Sequence, residues 1–150
     1  MPSIPNFGPT TGYPKFASLV YPTITPTLIT LTTAGGVRTL TVAELLAGFL
    51  TVDCQDAQTA TTPTAALIVA AINGCQIGQA FYVDVVNYGD TTLTIGLGVG
   101  VTKTTIATVA AVLTLATLVS KRLLFVVTNV TPGSEAVTLW AFGSTAAAVA

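Results

Sequence analysis

The chain has 150 residues, 51% of them hydrophobic and only 7% charged, and its formal net charge is −1. This length suits a single domain with its own hydrophobic core. Five basic residues spread along the chain exclude the clustered positive charge that nucleic acid binding requires. Histidine, the most common general base and metal ligand, is absent. Because so little charge gives little repulsion between copies, we expect self-association.

The first 27 residues differ in composition from the rest of the chain. Six of the eight prolines lie here, and proline at this density disfavours helices and central strands and favours an extended path. A disordered tail is one interpretation, but such tails are poor in aromatic residues. This segment contains four aromatic side chains: Phe7, Tyr13, Phe16 and Tyr21. We therefore expect residues 1–27 to form an extended arm that docks these side chains on a neighbouring subunit.

A hairpin and a short helix are predicted after the arm. Residues 27–41 alternate between apolar and polar side chains on both sides of a Gly35–Gly36 turn, which is typical of a β-hairpin. Thr41 and Glu44 have the spacing of a capping box, in which each side chain bonds the other residue's backbone amide. The helix that this box opens is expected to end at Gly48.

A strand and a second helix follow. The sequence FLTVDCQ, residues 49–55, has the composition of a strand. Thr62 is expected to cap the second helix, with Pro63 at its first position and Gly74 just past its end.

From Gly78 onward the pattern predicts strands. In AFYVDVVN, residues 80–87, the alternation places residues 81, 83 and 85 on one face and residues 82, 84 and 86 on the other. Further strands are expected in TTLTIGLG, around TIATVAAVLTLATLV, in KRLLFVVTNV and in EAVTLWAF. Short strands at this spacing, separated by turn signals, indicate a β-sandwich or a barrel.

The stretch GLGVGVTKTT, residues 96–105, resembles a phosphate-binding loop only superficially. That loop requires glycine directly before its lysine, whereas Thr102 precedes Lys103 here. The β-branched residues that follow favour a strand over the helix that such a loop needs. We therefore interpret these glycines as a bend or a close backbone contact between strands.

Few side chains offer acid-base chemistry. Asp84 lies within an apolar strand, and we expect it to pair with Lys121 or Arg122 across strands or to face water at an edge. Asp53 and Asp56 could approach each other as a glycosidase pair does. Two acids three residues apart beside a turn are more often a solvated loop, and we favour that interpretation.

The two cysteines give no metal site by themselves. Cys54 and Cys75 could close a loop worth about 3 kcal/mol if oxidised. We favour free thiols, because the chain is not a small, cysteine-dense scaffold. Two cysteines without histidine do not supply four zinc ligands. We therefore predict no catalytic, cofactor-binding or metal-binding residues and no enzymatic activity.

The longest uncharged apolar stretch, residues 104–120, has about the minimum length of a membrane span. Threonines and β-branched residues interrupt it, so we expect buried strands and no membrane insertion. The N-terminus has no basic stretch followed by an apolar run, so we do not expect a signal peptide.

Residues 40–140 resemble a module found in virion proteins of tailed phages and large DNA viruses. The resemblance rests on five segments in order: LTVAELLAG, PTAALIVAAI, FYVDVVN, GLGVGVT and TNVTPGSEAVTLW. It implies a small β-rich domain, often trimeric, that is displayed on a capsid as a cement, decoration or fibre protein. Residues 106–119 depart from the family in being more apolar, which favours burial of this segment at a subunit contact.

The expected fold is therefore mainly β: a single-domain antiparallel β-sandwich, jelly-roll-like by analogy with other viral β-domains, with two short helices. This domain would span residues 28–150, after the extended arm at residues 1–27.

The expected function is that of a non-enzymatic structural virion protein. It would be a homotrimeric minor capsid protein, acting as cement or decoration at the capsid surface, where it binds the major capsid protein lattice and stabilises contacts between capsomers. The alternative is a fibre or spike module for attachment to a receptor or glycan, for which Tyr88 is the one obvious loop aromatic. No cofactor and no nucleic acid partner are expected.

Overall fold

The computed structural model describes residues 27–31, 36–106, 109–110 and 113–146, and among them the side chains of residues 36–104 and 113–142. These residues are mainly β, with two short helices, as expected. The helices are α1 (Val42–Leu46) and α2 (Ala65–Ala71). The strands are β1 (Thr27–Leu31), β2 (Val37–Thr39), β3 (Phe49–Cys54), β4 (Gln58–Thr61), β5 (Ala80–Asn87), β6 (Leu93–Gly96), β7 (Val101–Lys103), β8 (Thr105–Ile106), β9 (Val109–Ala110), β10 (Thr114–Leu115), β11 (Val119–Asn129) and β12 (Ala136–Ala146).

The strands form two main sheets and a small pair. A six-stranded sheet has the order β1-β3-β5-β11-β12-β7, a four-stranded sheet has the order β10-β6-β4-β2, and β8 pairs with β9. Strands β1 to β7 alternate between the two main sheets. The neighbours β1–β3, β3–β5, β2–β4 and β4–β6 are therefore two strands apart in sequence.

The sheets are mixed, so the prediction of an antiparallel arrangement is wrong. The neighbours β1–β3, β3–β5, β2–β4, β4–β6 and β12–β7 run parallel. Parallel pairing needs a crossover connection, and the alternation between sheets supplies one. For example, the chain leaves β1, adds β2 to the other sheet and returns through α1 to β3. Only β5–β11, β11–β12, β6–β10 and β8–β9 are antiparallel within the described chain.

The hairpin predicted over residues 27–41 does not form. Its two strands, β1 and β2, belong to different sheets, where β1 pairs with β3 and β2 pairs with β4. The alternating pattern identified both strands correctly. It contains no information on which partner each strand takes.

Helix α1 begins at the predicted capping box. The Glu44 amide donates to the Thr41 hydroxyl at 3.2 Å, and the Thr41 amide donates to the Glu44 carboxylate at 2.8 Å. Burial alone would raise the pKa of Glu44, but bonds from the Thr41 amide and the Arg38 side chain lower it overall. The helix ends at Leu46, before Gly48, and its Leu45 is buried in the core.

Helix α2 begins two residues later than predicted. Its N-cap is Thr64, whose hydroxyl accepts from the Leu67 amide at 3.3 Å. The hydroxyl of Thr62 accepts instead from the Gly98 amide, at 2.9 Å. Thr62 and Thr64 are both suitable N-cap residues by sequence. The hydroxyl of Thr62 is bonded to the Gly98 amide, and Thr64 caps the helix.

Both main sheets contribute to one hydrophobic cluster. Alternate residues of β3, β5, β11 and β12 are buried, and so are alternate residues of β4 and β6. Phe125 is the largest fully buried side chain, and its ring stacks on Phe81 with centroids 5.0 Å apart. The alternation predicted for residues 80–87 is confirmed.

Asn87 is a buried polar residue that joins the end of β5 to β10. Its side-chain amide donates to the carbonyl oxygens of Thr91 and Leu115, at 2.6 and 3.0 Å. Its side-chain oxygen accepts from the Gly89 amide at 3.1 Å. β5 and β10 belong to different sheets, so these hydrogen bonds connect the two sheets. Unlike apolar contacts, hydrogen bonds are directional and constrain how the two strands are placed.

Candidate interaction surface

The glycine-rich stretch packs against protein backbone. A Cβ on Gly98 would lie 2.4 Å from the carbonyl oxygen of Pro63, which is closer than real Cβ contacts. Gly100 has a φ of +78°, a conformation that favours glycine. The Gly98 amide donates to Thr62, and the Thr62 amide donates to the Gly96 carbonyl. The interpretation as a close backbone contact is confirmed, and the neighbour is the segment that leads into α2.

The candidate acidic pair does not form a shared site. The carboxylate of Asp53 accepts from the Gln55 side chain at 2.7 Å, and Asp56 is exposed. In the part of the chain that the structure describes, no three His, Cys, Asp or Glu side chains are close enough to hold a metal ion.

Both cysteines are free thiols, as favoured from the sequence. Burial, reinforced by the neighbouring charge of Asp53, raises the pKa of Cys54. A thiol with a raised pKa is protonated at neutral pH and is a poor nucleophile. Cys54 is therefore a core residue.

Lys121 and Arg122 are adjacent in β11 and point to opposite faces of the six-stranded sheet. Lys121 is buried and donates to the Thr114 carbonyl at 3.2 Å, and burial lowers its pKa. Arg122 faces outward, directly opposite Asp84 on β5. Of the two partners predicted for Asp84, Arg122 is the one that the structure shows.

The Asp84–Arg122 pair has bidentate geometry. Nε of Arg122 donates to one carboxylate oxygen at 2.7 Å and its Nη2 donates to the other at 2.8 Å. These bonds raise the pKa of Arg122. The guanidinium also lies over the ring of Tyr82, 5.7 Å from its centroid, within the range of a cation–π contact.

Around this ion pair lies a set of apolar side chains that we call the aromatic face. Its members share the outward side of the six-stranded sheet: Phe49, Tyr82, Leu124, Trp140 and Phe142. Leu124 lies opposite both Tyr82 and Trp140, and Phe49 lies beside Asp84. Tyr82 is 55% exposed and Phe142 45% exposed.

Phe142 shares this face with Trp140, two residues earlier in β12, and stands beside a β-bulge. The register of β11 with β12 shifts between Lys121 and Leu123, so that residues 142 and 143 together oppose Arg122. Phe142 therefore stands level with the ion pair. The extra residue of the bulge changes the register only beyond this point, where Lys121 pairs with Ser144.

Comparisons with known protein families, with characterised proteins and with solved structures find no match. In the described chain no helix is both long and apolar enough to cross a membrane. The predicted contact residues of the arm, Phe7, Tyr13, Phe16 and Tyr21, lie outside the described residues. The aromatic face is the feature of the described residues that bears most directly on function.

Sequence reasoning assigned Tyr82 and Asp84 to one face of a strand and Trp140 to the last strand, but it missed the face that they share. The missing information was the register of four strands, β3, β5, β11 and β12. Tyr88, the loop aromatic noted in the sequence, is 61% exposed and lies just past the end of β5.

Proposed function

We propose that the chain is a non-enzymatic structural virion protein: a homotrimeric minor capsid protein that acts as cement or decoration between capsomers. The observation that carries this proposal is the aromatic face. The outward side of an exposed sheet is normally polar, and a contiguous apolar patch on it marks a surface that another polypeptide covers.

The composition of the aromatic face suits a protein interface. Tyrosine, tryptophan and arginine dominate the binding energy of such interfaces. Its one ion pair is already satisfied by two hydrogen bonds, so covering it leaves no charge without a partner. The small net charge of the chain also allows many copies to pack together. The five ordered segments that resemble virion modules point to the same class of protein.

We further propose that the two main sheets face each other as a β-sandwich. The support is that buried residues of both sheets, together with Leu45 and Ile68 of the helices, belong to one cluster. The jelly-roll-like form of this sandwich stays a prediction, and the parallel neighbours weigh against it, since jelly rolls are antiparallel.

The first test is the mass of the full chain in solution by light scattering. We expect a species of three 15.2 kDa chains. Tyr82→Lys, which places a charge in the aromatic face, should shift this species towards monomer. Tyr88→Lys changes an exposed aromatic residue outside the face and should leave the mass unchanged. A monodisperse wild-type monomer at high concentration would contradict the proposal.

The second test locates the protein in a particle map. Density at contacts between capsomers supports the cement role, and distal projection supports attachment. Exposure of Tyr88 is the observation that favours attachment as the second candidate. In that case Tyr88→Ala should reduce binding to a glycan or host protein while Tyr82→Lys should not.

A further inference from the structure

We propose that the aromatic face binds residues 1–26 of a neighbouring copy of the chain in the same oligomer. This inference rests on the proposed function, because it requires that copies associate. It names the occupant of the face: the proline- and aromatic-rich part of the arm that precedes β1.

The chemistry of the two partners matches. Proline-rich segments in the polyproline conformation bind surfaces lined by aromatic rings, and they lose little entropy because that conformation is already extended. Residues 1–26 supply six prolines and four aromatic side chains. The aromatic face supplies Tyr82, Trp140 and Phe142 on one continuous side of the sheet.

The charges match as well. Residues 1–26 carry one charged side chain, Lys15. The Asp84–Arg122 pair at the centre of the face is internally neutral. A nearly uncharged segment therefore covers the face without leaving a buried charge unpaired, which would cost several kcal/mol.

The position of β1 fixes where the arm begins. β1 is an edge strand, and its first residue, Thr27, pairs with Leu50, next to Phe49. Residues that precede proline favour extended backbone, so Thr25 and Tyr21, before Pro26 and Pro22, favour a path that continues the line of β1.

The length of the arm is sufficient to reach a second copy. Twenty-six residues in polyproline conformation span about 80 Å at ~3.1 Å per residue. The six-stranded sheet is about 24 Å wide at ~4.8 Å per strand spacing. This span exceeds the width of the sheet, so the arm is long enough to reach a second copy.

Trp140 is the only tryptophan in the chain and lies in the aromatic face, so its fluorescence reports on whether the face is covered. We compare the full chain with a full-length variant in which Phe7, Tyr13, Phe16 and Tyr21 are all changed to Ser. Removing the arm contacts should raise the quenching of Trp140 by acrylamide severalfold and shift its emission to longer wavelength. Tyr88→Ser is the control and should change neither. Circular dichroism checks that every variant is folded.

Mixing decides which copy supplies the arm. The partner chain carries the native arm with Tyr82→Lys and Trp140→Phe, so it has no tryptophan and a disabled face. Co-refolded with the four-serine variant, it should restore protection of the other chain's Trp140. Protection that is lost in the four-serine variant and not restored by mixing would overturn the inference, because the arm of a neighbouring copy then does not cover the face.

The same experiment separates this inference from the proposed function. If the wild type is an oligomer and the four-serine variant keeps Trp140 protected, another surface covers the face: the inference fails and self-association stands. If the wild type is a monomer by light scattering, both fail.

Discussion

The hydroxyl of Thr62 accepts a hydrogen bond from the backbone amide of Gly98 at 2.9 Å, joining the segment before α2 to the connection between β6 and β7. The contact is tight, because the nearest carbonyl oxygen would lie 2.4 Å from a Cβ at position 98. The stretch that resembled a phosphate-binding loop is thus a packing contact between two backbone segments.

Gly98→Ala should destabilise the protein by about 2–3 kcal/mol, because backbone must move to admit the methyl group. Urea unfolding followed by circular dichroism measures this. Thr62→Val, which removes the acceptor and leaves the Gly98 amide unsatisfied, should cost about 1–2 kcal/mol. Thr62→Ser keeps the hydroxyl and is the control. If Gly98→Ala unfolds at the same urea midpoint as the wild type, the space between Gly98 and the Pro63 carbonyl oxygen admits a methyl group and the contact is not tight.

Glu44→Gln should cost about 1 kcal/mol at pH 7, because it weakens the cap of α1 and the ion pair with Arg38. The pKa of Glu44 is lowered below its ordinary 4.5, so its ionised form is favoured in the folded state. Its contribution is therefore complete above the ordinary pKa and is lost as pH falls through the lowered value.

Urea unfolding at a series of pH values tests this dependence. The difference between wild type and Glu44→Gln should shrink as the solution is acidified. Glu135→Gln removes the same charge from the loop between β11 and β12 and is the matched control. A difference that stays constant down to acidic pH would show that ionisation of Glu44 is not the cause.

Asp84→Asn should weaken the oligomer more than Asp84→Asn combined with Arg122→Gln. The single change leaves the Arg122 charge without its carboxylate when the aromatic face is covered, whereas the double change removes both charges. Light scattering over a dilution series measures the dissociation of each variant. Folding stability should change little in either case, because the pair is exposed in one chain. If neither variant weakens the oligomer, the ion pair lies outside the interface.

Asn87→Leu should cost about 2–3 kcal/mol or more, because it leaves the carbonyl oxygens of Thr91 and Leu115 without their donor. Asn87→Asp should also destabilise at neutral pH, since an ionised carboxylate would face those carbonyls. Its folded-state pKa would be raised, so part of the lost stability should return as pH falls and the carboxyl is protonated. The urea midpoints of both variants are measured at pH 7 and at acidic pH. Asn87→Leu should regain no stability at acidic pH.

The features that sequence reasoning found are those whose chemistry is local. The Thr41–Glu44 capping box is complete within four residues, and the alternation in β5 identified its buried face without knowledge of its neighbours. The cap of α2 was misplaced because Thr62 and Thr64 both qualify locally, and a residue 36 positions away, Gly98, decides between them.

The features that sequence reasoning missed depend on pairing between strands that are far apart in the sequence. The sequence cannot show that β1 and β2 enter different sheets, because a half-buried strand has the same pattern beside any partner. The aromatic face needs the register of β3, β5, β11 and β12 together. The Asp84–Arg122 ion pair could be predicted from the sequence, because a charged residue in an apolar strand has few other partners of opposite charge.

The alternation of β1 to β7 between two sheets also shapes how the nascent chain folds. No strand in this part pairs with the strand next to it in sequence, so every ladder closes a loop through a strand of the other sheet, and high contact order slows folding. β5 gains its second neighbour only when β11, starting at Val119, has been synthesised. One edge of β5 therefore stays unpaired until β11 leaves the ribosome, although β3, on its other side, is already available.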